Sequence, residues 1–219
     1  MAGVAGQGRR FAVDAALDAA TLVFWEHGYE GASLASLTEA MGINPPSLYK
    51  AFGSKEELFF SVIDRYNATH GSFVGFAFEE ASDGFDLARR ILHGAADHYA
   101  RPGFPGGCLT ITAAVTVGPQ NRRVAERLSD LRNTNVAKIA QTFENDARAG
   151  ALPADTPVAR LATFIGATLQ GMSQQARDGA DAAQLHAIAD LALGVLPAPA
   201  HASAAAAGKR ATEPRGNEQ

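Results

Sequence analysis

One cysteine, Cys108, stands among the 219 residues, so no intrachain disulfide can form and a reducing compartment suits the chain. No stretch reaches the ~18 apolar residues that a membrane span requires. Residues 1–8 are mostly small and do not set a charged segment before an apolar one, so no secretory leader is expected and the location expected is cytoplasmic. A surplus of positive charge is also missing. The formal net charge is −4, which argues against a broadly basic nucleic-acid binder. Even residues 1–60 carry only four bases, Arg9, Arg10, Lys50 and Lys55, against seven acids. There is no phosphate-binding glycine loop of the Walker type and no His-Glu-x-x-His pair. No convergent catalytic set, no cofactor motif, no internal repeat and no useful strand-period segment replaces them, so neither an enzyme nor a cofactor is expected.

What is present is a punctuated helical pattern at residues 33–58. Ser33 is a good N-cap, because its hydroxyl can accept from the free N–H groups of the next turn. Leu34, Leu37 and Met41 then recur on one face, and Gly42 supplies a stop. Asn44 followed by Pro45 reads as a cap and a proline at the first helical position, where its missing N–H is harmless. Leu48 and Phe52 face inward, leaving Ser47, Tyr49 and Lys50 to other sides. Gly53 ends this helix, and Ser54 with Glu57 forms a capping box for the next. Two short helices and a tight turn make a helix-turn-helix, whose second helix can lie in a DNA major groove.

These residues resemble the DNA-binding domain of the TetR/AcrR family of bacterial transcriptional regulators. The likeness runs from Ala16-Leu17-Asp18-Ala19-Ala20 through Phe24, Gly28-Tyr29 and Ser33 to Gly42-Ile43, Leu48-Tyr49, Phe52 and Ser54-Lys55-Glu56-Glu57-Leu58, about the first quarter of the chain. It implies an all-helical homodimer in which residues 1–54 bind DNA and residues 55–196 bind a small-molecule inducer and dimerise. By the same resemblance Ser33, Tyr49 and Lys55 match phosphate contacts, and Pro45, Ser47 and Lys50 lie on the recognition helix. The paired proline at 45–46 leaves Asn44, Ser47 and Lys50 as the candidates for reading base edges. Arg9 and Arg10 precede the first helix and can serve as an arm toward phosphates or a minor groove, or stand as a solvated pair.

Beyond the motif, apolar periodicity places a first helix at about 11–27, with Val13, Ala16, Ala20, Val23, Phe24 and His27 inward. Further helices are predicted at about 55–72, 85–100, 108–117, 119–149, 156–177 and 181–196. The last two carry Leu161, Ile165 and Leu169 on one and Leu185, Ile188 and Ala192 on the other, and two such pairs can build a four-helix dimer interface. Burial of those residues within one chain is the plainer alternative. Residues 197–219, rich in alanine, proline and charge, are expected to be a disordered tail.

Phe104, Cys108, Ile111, Phe143, Phe164 and Met172 could line a cavity between helices, with His98, Tyr99 or Gln170 orienting an apolar ligand, or they could be ordinary core. Cys108, at a helix start beside Gly106-Gly107, could be an activated thiol or a small core residue. His93 and Asp97, four apart, read as a local polar pair rather than an edge of a metal site, and no metal is expected. The reading is a ligand-responsive regulator that binds a double-stranded operator. A repressor and an activator look alike at this level. The rival is a helical carrier or enzyme that does not bind DNA, in which case Tyr49 and Lys50 would be buried.

Overall fold

Phe24 and Phe59 meet edge-to-face with ring centroids 4.9 Å apart, and Tyr29 packs on the same Phe59 at 5.1 Å. Leu37, Leu48 and Leu58 close around these rings, each fully buried. This small core belongs to the first four helices of a computed structural model that describes residues 4–197, with side chains from residue 13 onward. The chain runs α1 (Val4–Gly31), α2 (Leu34–Met41), α3 (Pro45–Phe52), α4 (Lys55–Ala68), α5 (Ser72–Glu80), α6 (Gly84–Tyr99), α7 (Leu109–Thr112), a 3₁₀ turn (Pro119–Asn121), α8 (Arg122–Arg148), α9 (Val158–Arg177) and α10 (Ala182–Gly194). No strand occurs among the described residues. Arg9 and Arg10 lie outside the residues whose side chains are described, and the expected tail from 198 onward lies outside the described residues altogether.

The second half is built around α6, whose Leu87, Ile91, Leu92 and Ala95 are buried between α5, α8, α9 and α10. α4 joins the halves. Its first two turns bury Leu58 and Phe59 in the first core. Its last buries Tyr66 against Trp25, centroids 5.0 Å apart. Arg65 on the same helix grips Asp18 of α1 through both carboxylate oxygens, at 2.7 and 2.9 Å.

Several expected boundaries shift for local reasons. The helix expected to reach 72 ends at Ala68, where Thr69 leaves helical geometry and turns its hydroxyl back to the Arg65 carbonyl. A separate α5 follows, and its apolar run of Phe73, Val74, Ala77 and Phe78 had no strong cap to announce it. α1 kinks at Gly28, whose φ of 69° is open to glycine but strained for other residues. His27, just before the kink, is exposed while Trp25 and Tyr29 are buried; Val13, also expected inward, is exposed. The segment expected to be helical to Val117 holds a single turn, Leu109–Thr112.

Candidate DNA-binding surface and effector cavity

The caps of the helix-turn-helix are formed as local chemistry requires. The Ser33 hydroxyl accepts from the Ser36 N–H at 3.0 Å, and the Asn44 side chain accepts from the Ser47 N–H at 2.9 Å. Gly42 takes the left-handed conformation that lets its N–H and that of Ile43 reach back to α2 carbonyls. α3 buries only Leu48. Asn44, Pro45, Ser47, Tyr49 and Lys50 are all exposed, Tyr49 at 47%. Ser33 is exposed at the start of α2. Lys55 is half-buried, its ammonium 4.6 Å from the Tyr29 ring centroid, and burial lowers its pKa. The protein thus presents an open face of small polar groups, one tyrosine and one lysine, held out by buried Leu48 with half-buried Phe52 beside it on the core. Burial of Tyr49 and Lys50, the sign of a carrier or enzyme, is not what the chain shows.

The family model for bacterial regulatory proteins of the tetR family matches residues 16–62, and that for a tetracyclin repressor-like C-terminal domain matches residues 85–191. A relative from Escherichia coli (strain K12), the HTH-type transcriptional repressor ComR, is 35% identical over 201 residues, 88% of this chain and 92% of the relative. This chain belongs to the TetR family of bacterial transcriptional regulators. A second relative from the same organism, the repressor BdcR, is 31% identical over 86% of this chain and 91% of its own. Among solved structures, a cysteine mutant of the TetR family regulator CifR, complexed with 26-bp double-strand operator DNA, superposes with a TM-score of 0.80 at 39% identity, covering 84% of this chain and 96% of that one.

In the second half of this TetR-family chain, a small cavity of about 70 Å³ opens between α6, α7, α8 and α9. Tyr99, Cys108 and Ile111 line it, together with Ile139, Leu169 and Gln170. A wider neighbour of about 230 Å³ lies toward α5 and shares Val74, Cys108, Thr110 and Asn135 with it. Cys108 is buried among hydroxyls. The Tyr66 hydroxyl donates to its Sγ at 3.5 Å, the Thr110 Oγ1 lies 3.1 Å from it, and its own N–H donates to Ser173 Oγ at 2.8 Å. Burial pushes the Tyr66 and Tyr99 hydroxyls well above their usual range, so both remain protonated donors.

The other residues read as lining lie elsewhere. His98 turns away, its Nδ1 bonded to the Gly94 carbonyl at 2.7 Å and its ring stacked on Phe73. Phe104 packs on His70 and Trp25 under the Arg101 guanidinium. Phe143 is fully buried against Gly84, where a Cβ would meet its ring at 2.6 Å. Met172 is buried in the core away from the cavity wall, and Phe164 is 40% exposed on the outer side of α9.

The α9–α10 pair is similarly sorted by burial. Ile165 and Leu185 are wholly buried within one chain, as is most of Ala192, while Leu169 serves the cavity and Leu161 and Ile188 are half-buried. The exposed apolar groups are instead Phe164, Leu191 at 76% and Val195 at 66%. Val195 lies on the apolar stripe that periodicity marks at the end of α10, whereas Phe164 and Leu191 lie off the marked stripes, because periodicity locates an apolar side but not the rotation of each helix.

His93 and Asp97 are joined by a partner that sequence spacing could not supply. His186 of α10 sets its Nδ1 2.8 Å from that of His93, and its Nε2 2.8 Å from Asp97. Asp190 stands 3.4 Å from the far nitrogen of His93. The ring centroids are 5.1 Å apart, so the two nitrogens point head-on, the geometry of an N–H···N bond and not of a metal chelate. Among the described residues no group of three or more His, Cys, Asp or Glu side chains is arranged so as to hold a metal ion.

The cavity is wired to the DNA-binding half through α7. The carbonyl of Ala113, at its end, accepts the Tyr29 N–H at 2.7 Å. Arg177 of α9 donates to the carbonyls of Trp25 and Glu26 at 3.0 and 3.1 Å. Glu30 accepts from the Gly118 N–H and from Asn121, at 2.7 and 2.9 Å, and the Asn121 amide holds its carboxyl below the usual range.

Proposed function

We propose that this regulator is a homodimeric, cytoplasmic, operator-binding repressor without enzymatic activity, released from DNA when a small molecule enters the α6–α9 cavity. The observation that carries this reading is the α3 face, where Ser47, Tyr49 and Lys50 stand outward on a helix anchored by buried Leu48 and half-buried Phe52. Ser33, Tyr49 and Lys55 take phosphates, Asn44, Pro45, Ser47 and Lys50 meet base edges, and Arg9 and Arg10 form an arm. Few cations are offered per chain, so two chains are needed, with recognition helices about 34 Å apart on a near-palindrome. Phe164 on α9, with Leu191 and Val195 spaced four apart at the end of α10, are the residues through which α9 and α10 pair with a second copy, since large apolar groups left exposed mark an association site. Residues 1–54 act as the reading domain and residues 55–196 as the sensing and pairing domain, with α4 as the connector.

Release follows from differential affinity: a ligand shifts the protein only as far as it prefers one conformation. The Tyr29–Ala113 bond and the Arg177 grip on α1 make the DNA-binding half follow the cavity wall. The test is fluorescence-anisotropy titration of the dimer with fragments of its own promoter across a salt series. Nanomolar binding that weakens steeply with salt is expected. A stable monomer, or no affinity for any fragment at low salt, rejects the reading.

A further inference from the structure

Arg132 of α8 is the one ionised side chain in the wall of the smaller cavity, and no lining residue of either cavity is acidic. It is half-buried and donates one bond, from Nη1 to the Thr110 carbonyl at 2.8 Å. Among the described residues no carboxylate stands within ion-pair distance of it. Burial lowers its pKa without threatening its charge. A guanidinium has five N–H donors, and a backbone carbonyl satisfies only part of that capacity. Lys138, one helical turn and a half along α8, stands at the exposed rim of the adjoining cavity, 5.6 Å from the Phe78 ring centroid. The remaining polar groups nearby are amides and hydroxyls, and the rest of the surface is aliphatic.

We infer that the effector is a small organic carboxylate, its head paired with Arg132 and its hydrocarbon body against the apolar wall. This rests on the reading of the cavity as the effector site and deepens it. A planar carboxylate matches the guanidinium fork as a neutral ligand does not. The hydrocarbon walls disfavour a hydrated inorganic anion, which would lose its shell against them. Size sets the body: the smaller cavity has about half the volume of one that holds benzene, and its neighbour gives room for a ring or a short acyl chain. The same residue supplies the lever. The carbonyl that Arg132 now holds belongs to Thr110 on α7, and α7 carries the Ala113 carbonyl that accepts from Tyr29. A carboxylate competing for Arg132 releases Thr110, and α7 and the end of α1 shift together.

The experiment compares matched acids and amides on the full-length wild-type protein: benzoate against benzamide, and hexanoate against hexanamide. Melting temperature and operator release are both read. The acids are expected to raise the melting temperature and to release DNA at concentrations at least tenfold below their amides. Arg132→Gln is expected to lose about tenfold to a hundredfold in acid affinity, the range for a charged hydrogen bond, read from the melting-temperature shift alone, because loss of the guanidinium hold on Thr110 is itself expected to weaken operator binding without ligand. Arg132→Lys, which keeps charge and packing, replaces it if the glutamine variant melts early, and is expected to lose several-fold because it lacks the fork. Equal potency of acid and amide in the wild type, or no acid shifting the melting temperature beyond its amide, overturns the inference without touching operator binding. Failure of the unliganded wild type to bind its promoter instead defeats the repressor reading.

Discussion

Leu48 is the one fully buried side chain of the recognition helix, and its position decides two separate experiments. Leu48→Ala empties a fully buried site in a small core, and a loss of about 2–5 kcal/mol in unfolding free energy is expected by denaturant titration. Tyr49→Phe, on the exposed side one residue later, should leave stability unchanged and weaken binding to all operator sequences alike, if its hydroxyl meets a phosphate. A sequence-dependent loss in a binding-site selection would instead give Tyr49 a base contact. Lys55→Ala has a comparable signature, a salt slope lower by roughly one. Its half-burial on Tyr29 adds a packing effect that the salt slope does not register. Gly28 is a residue whose role only geometry exposes. A Cβ there would stand 3.1 Å from the Ala113 carbonyl at a φ of 69°. Gly28→Ala is expected to cost about 1–3 kcal/mol from backbone strain, since φ 69° with ψ 177° is a region essentially reserved to glycine, measurable by thermal melting.

At the scale of elements, α3 depends on its cap because it is short and buries little. Asn44→Ala removes the acceptor for the Ser47 N–H and should cost about 1 kcal/mol. DNA affinity should fall more than stability does, since the variant frays the helix that reads and also removes the proposed Asn44 base contact; equal affinity in wild type and variant would count against both. The contact between the end of α1 and the turn before α8 has a pH signature. Glu30 is a carboxylate with a lowered folded pKa, so its contribution is present above its unfolded pKa and lost as pH falls through the folded one. Acidification below the ordinary carboxylate range should loosen this junction, read as a lower protection factor of the Gly118 amide against its intrinsic exchange rate at each pH. Glu30→Gln should remove that dependence. The caps, glycine stops and proline start that delimit α2 and α3 were legible in the sequence because each acts within four residues. α5 was not, because its start at Ser72 has no side-chain cap and its apolar groups are contiguous rather than periodic.

For the whole molecule, pairing is the quantity to measure. Leu191→Asp places a charge on an exposed apolar face and should leave the chain folded. If α9 and α10 pair, it should yield monomers by sedimentation and abolish operator binding, since a single reading domain offers few cations. A dimer that persists in this variant would move the interface elsewhere. The residues first chosen for that interface illustrate how far periodicity carries. It identified α9 and α10 as apolar, yet Ile165 and Leu185 are wholly buried within one chain, and Leu169 lines the cavity.

By itself the sequence determined what depends on neighbours along the chain: an all-helical class, the helix-turn-helix with its caps, and the outward placement of Ser47, Tyr49 and Lys50. Tertiary structure alone decided what depends on the rotation and docking of whole helices: which apolar stripe is core and which is free, the meeting of His93 with His186, and the burial of Arg132 beside Cys108. The physical reason is range. Capping and periodicity act over one helical turn, whereas a cavity wall is assembled from residues far apart in the chain, whose encounter is set by packing that no local pattern encodes.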